Sequence, residues 1–245
     1  EAPTVDFDEH HLLIEATVNH VNGRVKVIAG TGANSTKEAI ELTAKAKEAG
    51  VDACLLVAPY YNKPTQAGLT AHFTAVADAV SIPVIIYDIP GRSIVRVSDE
   101  TLANLAKHPN IVGIKDATAE CYRPTKLRSL IGPDFCQLSG EDATALPYLA
   151  AGGQGCISVV SNIAPALCSQ LHTAWAAGDT ATALALHQKL MPLHEDLFIE
   201  ASPGPVKYAA SLLGLCGPTT RLPLCEISDS SKAAVKDALV AAELL

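Results

Sequence analysis

Residues 25–59 show the repeating pattern of the chain most clearly, and they read VKVIAGTGANSTKEAIELTAKAKEAGVDACLLVAP. Two short apolar, β-branched runs, 25–30 and 53–59, enclose an Ala-rich, charged segment with helical spacing. Ser35, followed three residues later by Glu38, has the pattern of a capping box, and the segment stops at Gly50. The stretch therefore predicts a strand, a helix and a second strand parallel to the first.

The same alternation of strand and helix patterns continues along the chain. Apolar runs without polar alternation recur, and they read VKVIAG (25–30), ACLLVAP (53–59), PVIIYDI (83–89), IVGIKDA (111–117), FCQLSGE (135–141) and GCISVV (155–160). Strands of this kind, alternating with helices, indicate a parallel sheet covered by helices. After residue 161 only helical patterns remain. We therefore expect a barrel portion over residues 1–161 and a C-terminal helical region over residues 162–245.

The predicted fold class is α/β, a TIM (β/α)8 barrel followed by C-terminal helices. Six strand–helix units are two fewer than the barrel needs, a shortfall on the order of 55 residues at about 28 residues a unit. We therefore expect the first two units to be lacking, so that strands 3 to 8 are present. The alternative is an open doubly wound sheet, but GTGANS (30–35) matches only the first two glycines of the phosphate-binding pattern GxGxxG.

The composition limits the classes of function. The chain has 245 residues, 49% of them hydrophobic, and a formal net charge of −8. These values allow one large core and argue against nucleic acid and anionic membranes as partners. The seven cysteines are odd in number and form no CxxC pair, which favours a reducing cytoplasm. An enzyme that acts on small molecules is the class that these observations favour.

Lys115 is the main candidate for chemistry. Ligands bind at the carboxyl ends of the strands in either architecture, and Lys115 directly follows the apolar run 111–114. Desolvation lowers the pKa of such a lysine from about 10.4 towards neutrality, and a neutral amine forms a Schiff base with a carbonyl substrate. The alternative is a structural lysine that pairs with Asp116 or Asp88, or one that extends to solvent.

Two other residues are candidates at the same end of the predicted sheet. Tyr87 lies one strand earlier and is suited to relay a proton, unless it is a core tyrosine. Arg92 follows in the segment PGR, where its guanidinium fork suits either a substrate carboxylate or a surface salt bridge. The eight histidines show no zinc-binding spacing, so no metal site is predicted.

Five segments together resemble a known family. They read YYNKPTQAGL (60–69), IIYDIPGRS (85–93), GIKDAT (113–118), SGED (139–142) and GCISVVSN (155–162), and they occur in the family's order and at its separations. Over essentially its whole length the chain resembles the dihydrodipicolinate synthases of the N-acetylneuraminate lyase superfamily. This resemblance implies a TIM barrel and a Schiff-base mechanism.

The resemblance assigns roles to single residues. Lys115 is implied to form the Schiff base. Tyr87 and Tyr61 are implied to relay protons, with Tyr61 reaching into the site of a neighbouring subunit. Arg92 is implied to receive the aldehyde substrate. Two further positions are implied to line the site, Gly140 and Ile157.

The chain differs from the family's pattern in two places. Glu1 matches the last residue of the family's GTTGE loop, so the two threonines that complete the relay and hold the pyruvate carboxylate would precede residue 1. Asp88 stands where the family usually has asparagine. We expect this difference to be tolerated, because the adjacent Tyr87 carries the implied chemistry.

The implied reaction condenses pyruvate with L-aspartate 4-semialdehyde, in lysine and diaminopimelate biosynthesis. The imine on Lys115 takes up the electrons, so the resemblance implies neither a metal nor an organic cofactor. Arg92 favours this activity over that of the N-acetylneuraminate lyases, in which no arginine is expected there. Two alternatives stay open: a related pyruvate-dependent aldolase with another aldehyde or keto acid, and a non-catalytic truncated form.

The resemblance also implies an assembly and a regulator. The assembly is a cytoplasmic homotetramer built as a dimer of dimers, and the regulator is L-lysine acting as feedback inhibitor. The implied lysine-binding residues are Ala2, His10, Asn34, Glu38 and Tyr60. Phe7 stands where some lysine-sensitive members have a second histidine. Alternatively, Glu38 is only a capping-box acid and His10 only a residue on a helix face.

Overall fold

The computed structural model describes residues 1–245 and divides into two compact units. The first, here called the sheet unit, comprises Val5–Glu141 and Pro147–Cys156. The second, here called the helical unit, comprises Glu1–Thr4, Asp142–Leu146 and Ile157–Leu245. All six strands belong to the sheet unit.

The sheet unit contains one parallel sheet. Its strands are β1 (Ile28–Gly30), β2 (Ala53–Val57), β3 (Val84–Asp88), β4 (Ile111–Asp116), β5 (Cys136–Ser139) and β6 (Gly155–Cys156). Each strand pairs with the next one along the chain, so that the order is β1 to β6. The six predicted strands are therefore confirmed. In a doubly wound sheet the strand order reverses at one point, where the ligand binds. The observed order has no such reversal, so the alternative of a doubly wound sheet is wrong.

Helices connect successive strands. The helices up to residue 150 are α1 (Phe7–Val21), α2 (Thr36–Glu48), α3 (Gln66–Ala79), α4 (Pro90–Ser93), α5 (Asp99–Leu105), α6 (Arg123–Ile131) and α7 (Ala145–Ala150). Ser35 caps α2, and Thr65 and Ser98 cap α3 and α5 in the same way, because each side-chain oxygen accepts a backbone N–H of the first turn. The predicted start of α2 is confirmed.

Helix α1 enters the sequence predictions only through the alternative that puts His10 on a helix face, although its capping box is visible in the sequence. Asp6 accepts a hydrogen bond from the Glu9 N–H at 2.8 Å, and the Glu9 carboxylate accepts one from the Asp6 N–H at 3.3 Å. At Ser35 only the first half of the predicted box forms, from the Glu38 N–H to the Ser35 Oγ at 3.4 Å. The Glu38 carboxylate is therefore not used for capping.

The core of the sheet unit comes from the unbroken apolar runs of the strands. Leu56, Ile86 and Ile114 are fully buried and share one cluster with Leu69 and Phe73 of α3. Burial of side chains of this size contributes about 1.5–3 kcal/mol each. This packing fixes the strands whose carboxyl ends carry the candidate site.

The helical unit contains α8 (Pro165–Ala176), α9 (Thr180–Asp196), α10 (Gly204–Leu212) and α11 (Asp229–Ala241). Helix α9 packs against α8 and α11, and α11 also packs against α10. The C-terminal helices are therefore confirmed. All seven cysteines are free. No helix of the chain has both the length and the apolar character needed to cross a membrane.

Candidate active site

Tyr87 and Lys115 lie side by side at the carboxyl ends of β3 and β4. The two residues are partners in the parallel pairing, and so are Asp88 and Asp116. Successive strand residues point to opposite faces of a sheet, so the Tyr87 and Lys115 side chains share one face. The Lys115 Nζ lies 4.1 Å from the centroid of the Tyr87 ring, and both residues are half-buried. The structure thus brings the two main candidates together.

The surroundings of Tyr87 keep its phenol protonated at neutral pH. Burial raises the pKa of Tyr87, Arg92 opposes this rise, and the charge of Glu141 adds to it. A protonated phenol beside an amine is suited to donate a proton and to receive it back. The role of Tyr87 in a proton relay remains a prediction.

Gly140 lies against the Lys115 side chain, directly after β5. A Cβ at this position would lie 3.0 Å from the Lys115 Cε and 3.0 Å from the Ala117 Cβ. The segment is held in place because the Ser139 Oγ lies 2.9 Å from the Glu141 carbonyl oxygen and 3.1 Å from the Glu141 nitrogen. A methyl group at position 140 would therefore require the Lys115 side chain or Ala117 to shift by a few tenths of an ångström.

We expect Gly140→Ala to slow imine formation on Lys115 by about 10-fold or more, because the added methyl group displaces the Lys115 Cε. The rate is measured by borohydride trapping of pyruvate at a series of times. Gly217→Ala is the matched control, since a Cβ at that exposed glycine meets no atom within 4 Å. Equal trapping rates in the two variants would show that Gly140 does not position Lys115.

Arg92 lies on α4, the short helical turn that follows β3. The Ser93 Oγ lies 2.9 Å from the Ile89 carbonyl oxygen and 2.8 Å from the Val95 carbonyl oxygen, which fixes the turn. The Arg92 side chain is exposed, and it lies close enough to Tyr87 to affect the pKa of the phenol. Arg92 is thus a cation at the edge of the Tyr87–Lys115 site that is accessible to a soluble anion.

A buried arginine that sequence reasoning missed lies behind Tyr87 and Lys115. Arg123 of α6 is fully buried, and its Nη1 lies 2.7 Å from Asp88 and 3.3 Å from Asp116. Nothing in the local sequence CYRPTKL marks this arginine as buried, because its partners are distant in sequence. Burial raises the pKa of Asp88, and the Arg123 charge opposes that rise. Asp88, which stands where the family usually has asparagine, is thus paired with the Arg123 guanidinium.

Comparison with known proteins identifies the family. The sequence profile described as the "Dihydrodipicolinate synthetase family" matches residues 1–242.

The chain belongs to this family. The 4-hydroxy-tetrahydrodipicolinate synthase of Rhodospirillum centenum is 57% identical over 245 residues, which are 100% of this chain and 84% of that protein. The resemblance predicted from the five segments is confirmed.

Solved structures of the dihydrodipicolinate synthetase family have the same fold. The chloride-inhibited dihydrodipicolinate synthase of Acinetobacter baumannii, complexed with pyruvate, has a TM-score of 0.97 and 44% identity, over 100% of this chain and 84% of that one. The enzyme of Cyanidioschyzon merolae with lysine bound has a TM-score of 0.95 and 40% identity, over 100% of this chain and 83% of that one. An α/β fold with a parallel sheet and C-terminal helices is therefore shown.

The loop after β2 presents the Tyr-Tyr pair of the family. Tyr61 has 91% of its surface exposed and a left-handed backbone with φ +68°, and Tyr60 is 39% exposed. A bulky residue with positive φ costs on the order of 1–3 kcal/mol. The structure does not place Tyr61 in contact with Lys115, because the exposed ring points to solvent.

Three of the residues implied to bind lysine lie around the ends of β1 and α2. The His10 Nε2 is 2.8 Å from the Gly30 carbonyl oxygen. The Asn62 Nδ2 donates to the Asn34 carbonyl oxygen at 2.6 Å, which joins the loop of the Tyr-Tyr pair to the start of α2. Glu38 is half-buried in the first turn of that helix.

Two implied residues belong to the helical unit. Ala2 is exposed in a 3-10 turn, and Ile157 is half-buried directly after β6. Their implied roles remain predictions. Nowhere in the chain do three or more His, Cys, Asp or Glu residues form a group that could hold a metal ion.

Proposed function

We propose that this chain is a 4-hydroxy-tetrahydrodipicolinate synthase that condenses pyruvate with L-aspartate 4-semialdehyde. The observation that carries the proposal is the Lys115 Nζ packed against the Tyr87 ring at the carboxyl end of the sheet. A lysine in this position fits the class of lyase that works through a Schiff base. The curated relative from Rhodospirillum centenum bears the same enzyme name at 57% identity over the whole chain.

In the proposed reaction, the neutral amine of Lys115 attacks the ketone carbon of pyruvate. Water leaves, and an imine forms between the lysine nitrogen and the former ketone carbon. The imine withdraws electrons, so a methyl proton departs and an enamine forms. Tyr87 exchanges protons in these steps, because its phenol is protonated and lies beside the amine.

The second half of the reaction joins the two substrates. The enamine carbon attacks the aldehyde carbon of L-aspartate 4-semialdehyde, and the new alkoxide takes up a proton. The substrate's own amine then attacks the imine carbon, which closes the ring and releases Lys115. Arg92 binds the carboxylate of the aldehyde substrate, since its guanidinium is exposed beside the site. Gly140 leaves the space beside the Lys115 Cε that the imine needs.

The test of this function is a comparison of substrates in steady-state kinetics. We expect kcat/KM to be at least about 100-fold higher for L-aspartate 4-semialdehyde than for succinic semialdehyde, which lacks the amine needed for ring closure. A higher kcat/KM with another aldehyde or keto acid supports the related-aldolase alternative. No turnover with any pair, together with no trapped pyruvate, supports the non-catalytic alternative.

We further propose that the six strands are strands 3 to 8 of a TIM barrel. The parallel order without a switch point supports this, because every connection in such a barrel runs in one direction. Residues 1–161 then form the barrel portion, and residues 162–245 the C-terminal helical region. A cytoplasmic location belongs to the same proposal, supported by the seven free cysteines.

The proposed assembly is a homotetramer in which Tyr61 completes the relay of a neighbouring subunit. Its exposed ring and its unfavourable φ support contact with a partner. We expect an equal mixture of Lys115→Arg and Tyr61→Phe chains, refolded together, to regain about one quarter of wild-type activity, because a mixed dimer has one intact site. If Tyr61 serves its own subunit, the mixture stays as inactive as its components.

L-Lysine is the proposed feedback inhibitor, bound by His10, Asn34, Glu38 and Tyr60. The Glu38 carboxylate is not used for capping and suits a ligand ammonium. The hydrogen bond from Asn62 to Asn34 links this region to the Tyr60–Tyr61 loop, which gives a route between the two sites. The lysine-bound relative from Cyanidioschyzon merolae supports the proposal.

We expect Glu38→Ala to raise the lysine concentration for half-inhibition by about 10-fold or more, because a charge-assisted hydrogen bond is lost. Turnover without lysine should change little. Glu41→Ala, an exposed position on the same helix, is the control and should keep wild-type sensitivity. A Glu38→Ala enzyme with unchanged lysine sensitivity would remove this residue from the pocket.

A further inference from the structure

Arg123 makes more contacts than its two bonds to the strand ends. Its Nε lies 2.9 Å from the Asp99 carboxylate on α5, and its Nη2 donates to the Val97 carbonyl oxygen at 2.7 Å. With Asp88 on β3 and Asp116 on β4, four groups from two strands, one helix and the loop before that helix bind one guanidinium. A planar fork of five donors is suited to this arrangement, whereas a lysine ammonium provides only three donors from one point.

The contacts of Arg123 fall on the residues next to the catalytic pair. Asp88 directly follows Tyr87, and Asp116 directly follows Lys115. Backbone bonds continue the connection, since the Asp88 carbonyl oxygen accepts the Ala117 N–H at 2.9 Å. A shift of either carboxylate therefore moves the backbone from which Tyr87 or Lys115 extends.

The same cluster fixes the segment that carries Arg92. The Val97 N–H donates to Asp88 at 3.1 Å, while the Val97 carbonyl oxygen accepts from Arg123. The segment from Arg92 to Val97 is thus fixed at Val97, which contacts both Asp88 and Arg123 of the buried ion pair. Three candidate residues of the active site depend on this one guanidinium.

We propose that Arg123 is a positioning residue that aligns Lys115, Tyr87 and Arg92 and balances the carboxylate charge behind them. This inference rests on the proposed Schiff-base function of Lys115. Arg123 touches no substrate, because it lies on the opposite face of the strands from Lys115.

The charge balance around Lys115 is set from both faces of the sheet. On the face of Lys115, Tyr87 lies against the amine, and the charges of Arg92 and Glu141 act on Tyr87. On the opposite face, Arg123 meets three carboxylates, and the buried Tyr148 phenol interacts with the charges of Asp116 and Arg123. Lys126 and Arg96 approach Asp99 from the rim, where Arg96 also pairs with Glu120. Negative charge behind the strands favours the ammonium form of a nearby lysine. Loss of one carboxylate should therefore let the neutral amine persist to lower pH.

The test is the pH dependence of borohydride trapping of pyruvate by the full chain. We expect Arg123→Lys to lower the plateau rate of trapping by about 10-fold or more, because one ammonium cannot hold four acceptors in place. We expect Asp88→Asn to move the acid limb of the profile to lower pH by about 0.5–1 pH unit, from the loss of one charge. Arg128→Lys, an exposed position on the same helix, should change neither.

Two outcomes overturn the proposal. One is a folded Arg123→Lys variant whose plateau rate is within twofold of the wild type. The other is an unmoved acid limb in Asp88→Asn, and this result decides the matter if Arg123→Lys does not fold, because the proposed charge balance requires that the loss of one carboxylate change the protonation of Lys115. If the wild-type chain itself traps no pyruvate, the proposed function fails, and the positioning role falls with it.

Discussion

Lys115→Arg is expected to have no measurable turnover, a loss of at least about 10⁴-fold, and to trap no pyruvate on borohydride reduction. A guanidinium stays protonated at any working pH and cannot attack a ketone, although it keeps the positive charge and much of the length of lysine. The loss of turnover therefore measures the removal of the nucleophile and not the removal of a positive charge. Turnover is measured with both substrates, and the adduct by mass spectrometry.

The matched control is Lys107→Arg, an exposed lysine on the segment that precedes β4. It should keep wild-type turnover and the wild-type adduct. Circular dichroism of both variants shows whether each retains its fold. A Lys115→Arg variant that is folded and still catalyses the condensation would show that another group forms the imine.

Tyr87→Phe is expected to lower kcat by about 100-fold or more, the usual scale for the loss of a proton-transfer group. The phenylalanine ring should still pack against Lys115, because the 4.1 Å contact involves the ring and not the hydroxyl. We therefore expect the pyruvate adduct to remain detectable while turnover falls. Trapping and turnover are measured on the same preparation.

Tyr208→Phe is the control for this substitution. Tyr208 is half-buried like Tyr87 and lies on α10, not on a strand that carries the candidate site. Its substitution removes the same atom as in Tyr87→Phe, at a position without the proposed chemistry, so kcat should stay close to that of the wild type. Equal losses in both variants would mean that the fall in kcat does not report a proton transfer by the Tyr87 hydroxyl.

The strands were predictable because their sequence signal is local. Runs such as PVIIYDI and IVGIKDA are mostly apolar on both faces, as is typical of parallel strands that helices cover on both sides. Asp6 and Glu9 have the spacing of a capping box and mark the start of α1. The alternation of strands and helices does not predict this helix, because it precedes the first strand.

The candidate site was predictable for residues that lie at the carboxyl end of a strand. Lys115 is identified by its place after an apolar run, and the register of β3 with β4 then puts Tyr87 beside it. Gly140 came only from the family resemblance, and the structure supplies the reason, since a Cβ there meets the lysine. Arg123 could not be predicted, because its burial depends on carboxylates that lie up to 35 residues away.

Peptide mapping of the wild-type chain after borohydride reduction with labelled pyruvate shows directly whether Lys115 forms the imine. We expect one adduct for each active chain, on the peptide that contains Lys115, and a loss of activity in proportion to labelling. An active enzyme that carries its adduct on another residue, or that carries none, would show that Lys115 is not the nucleophile.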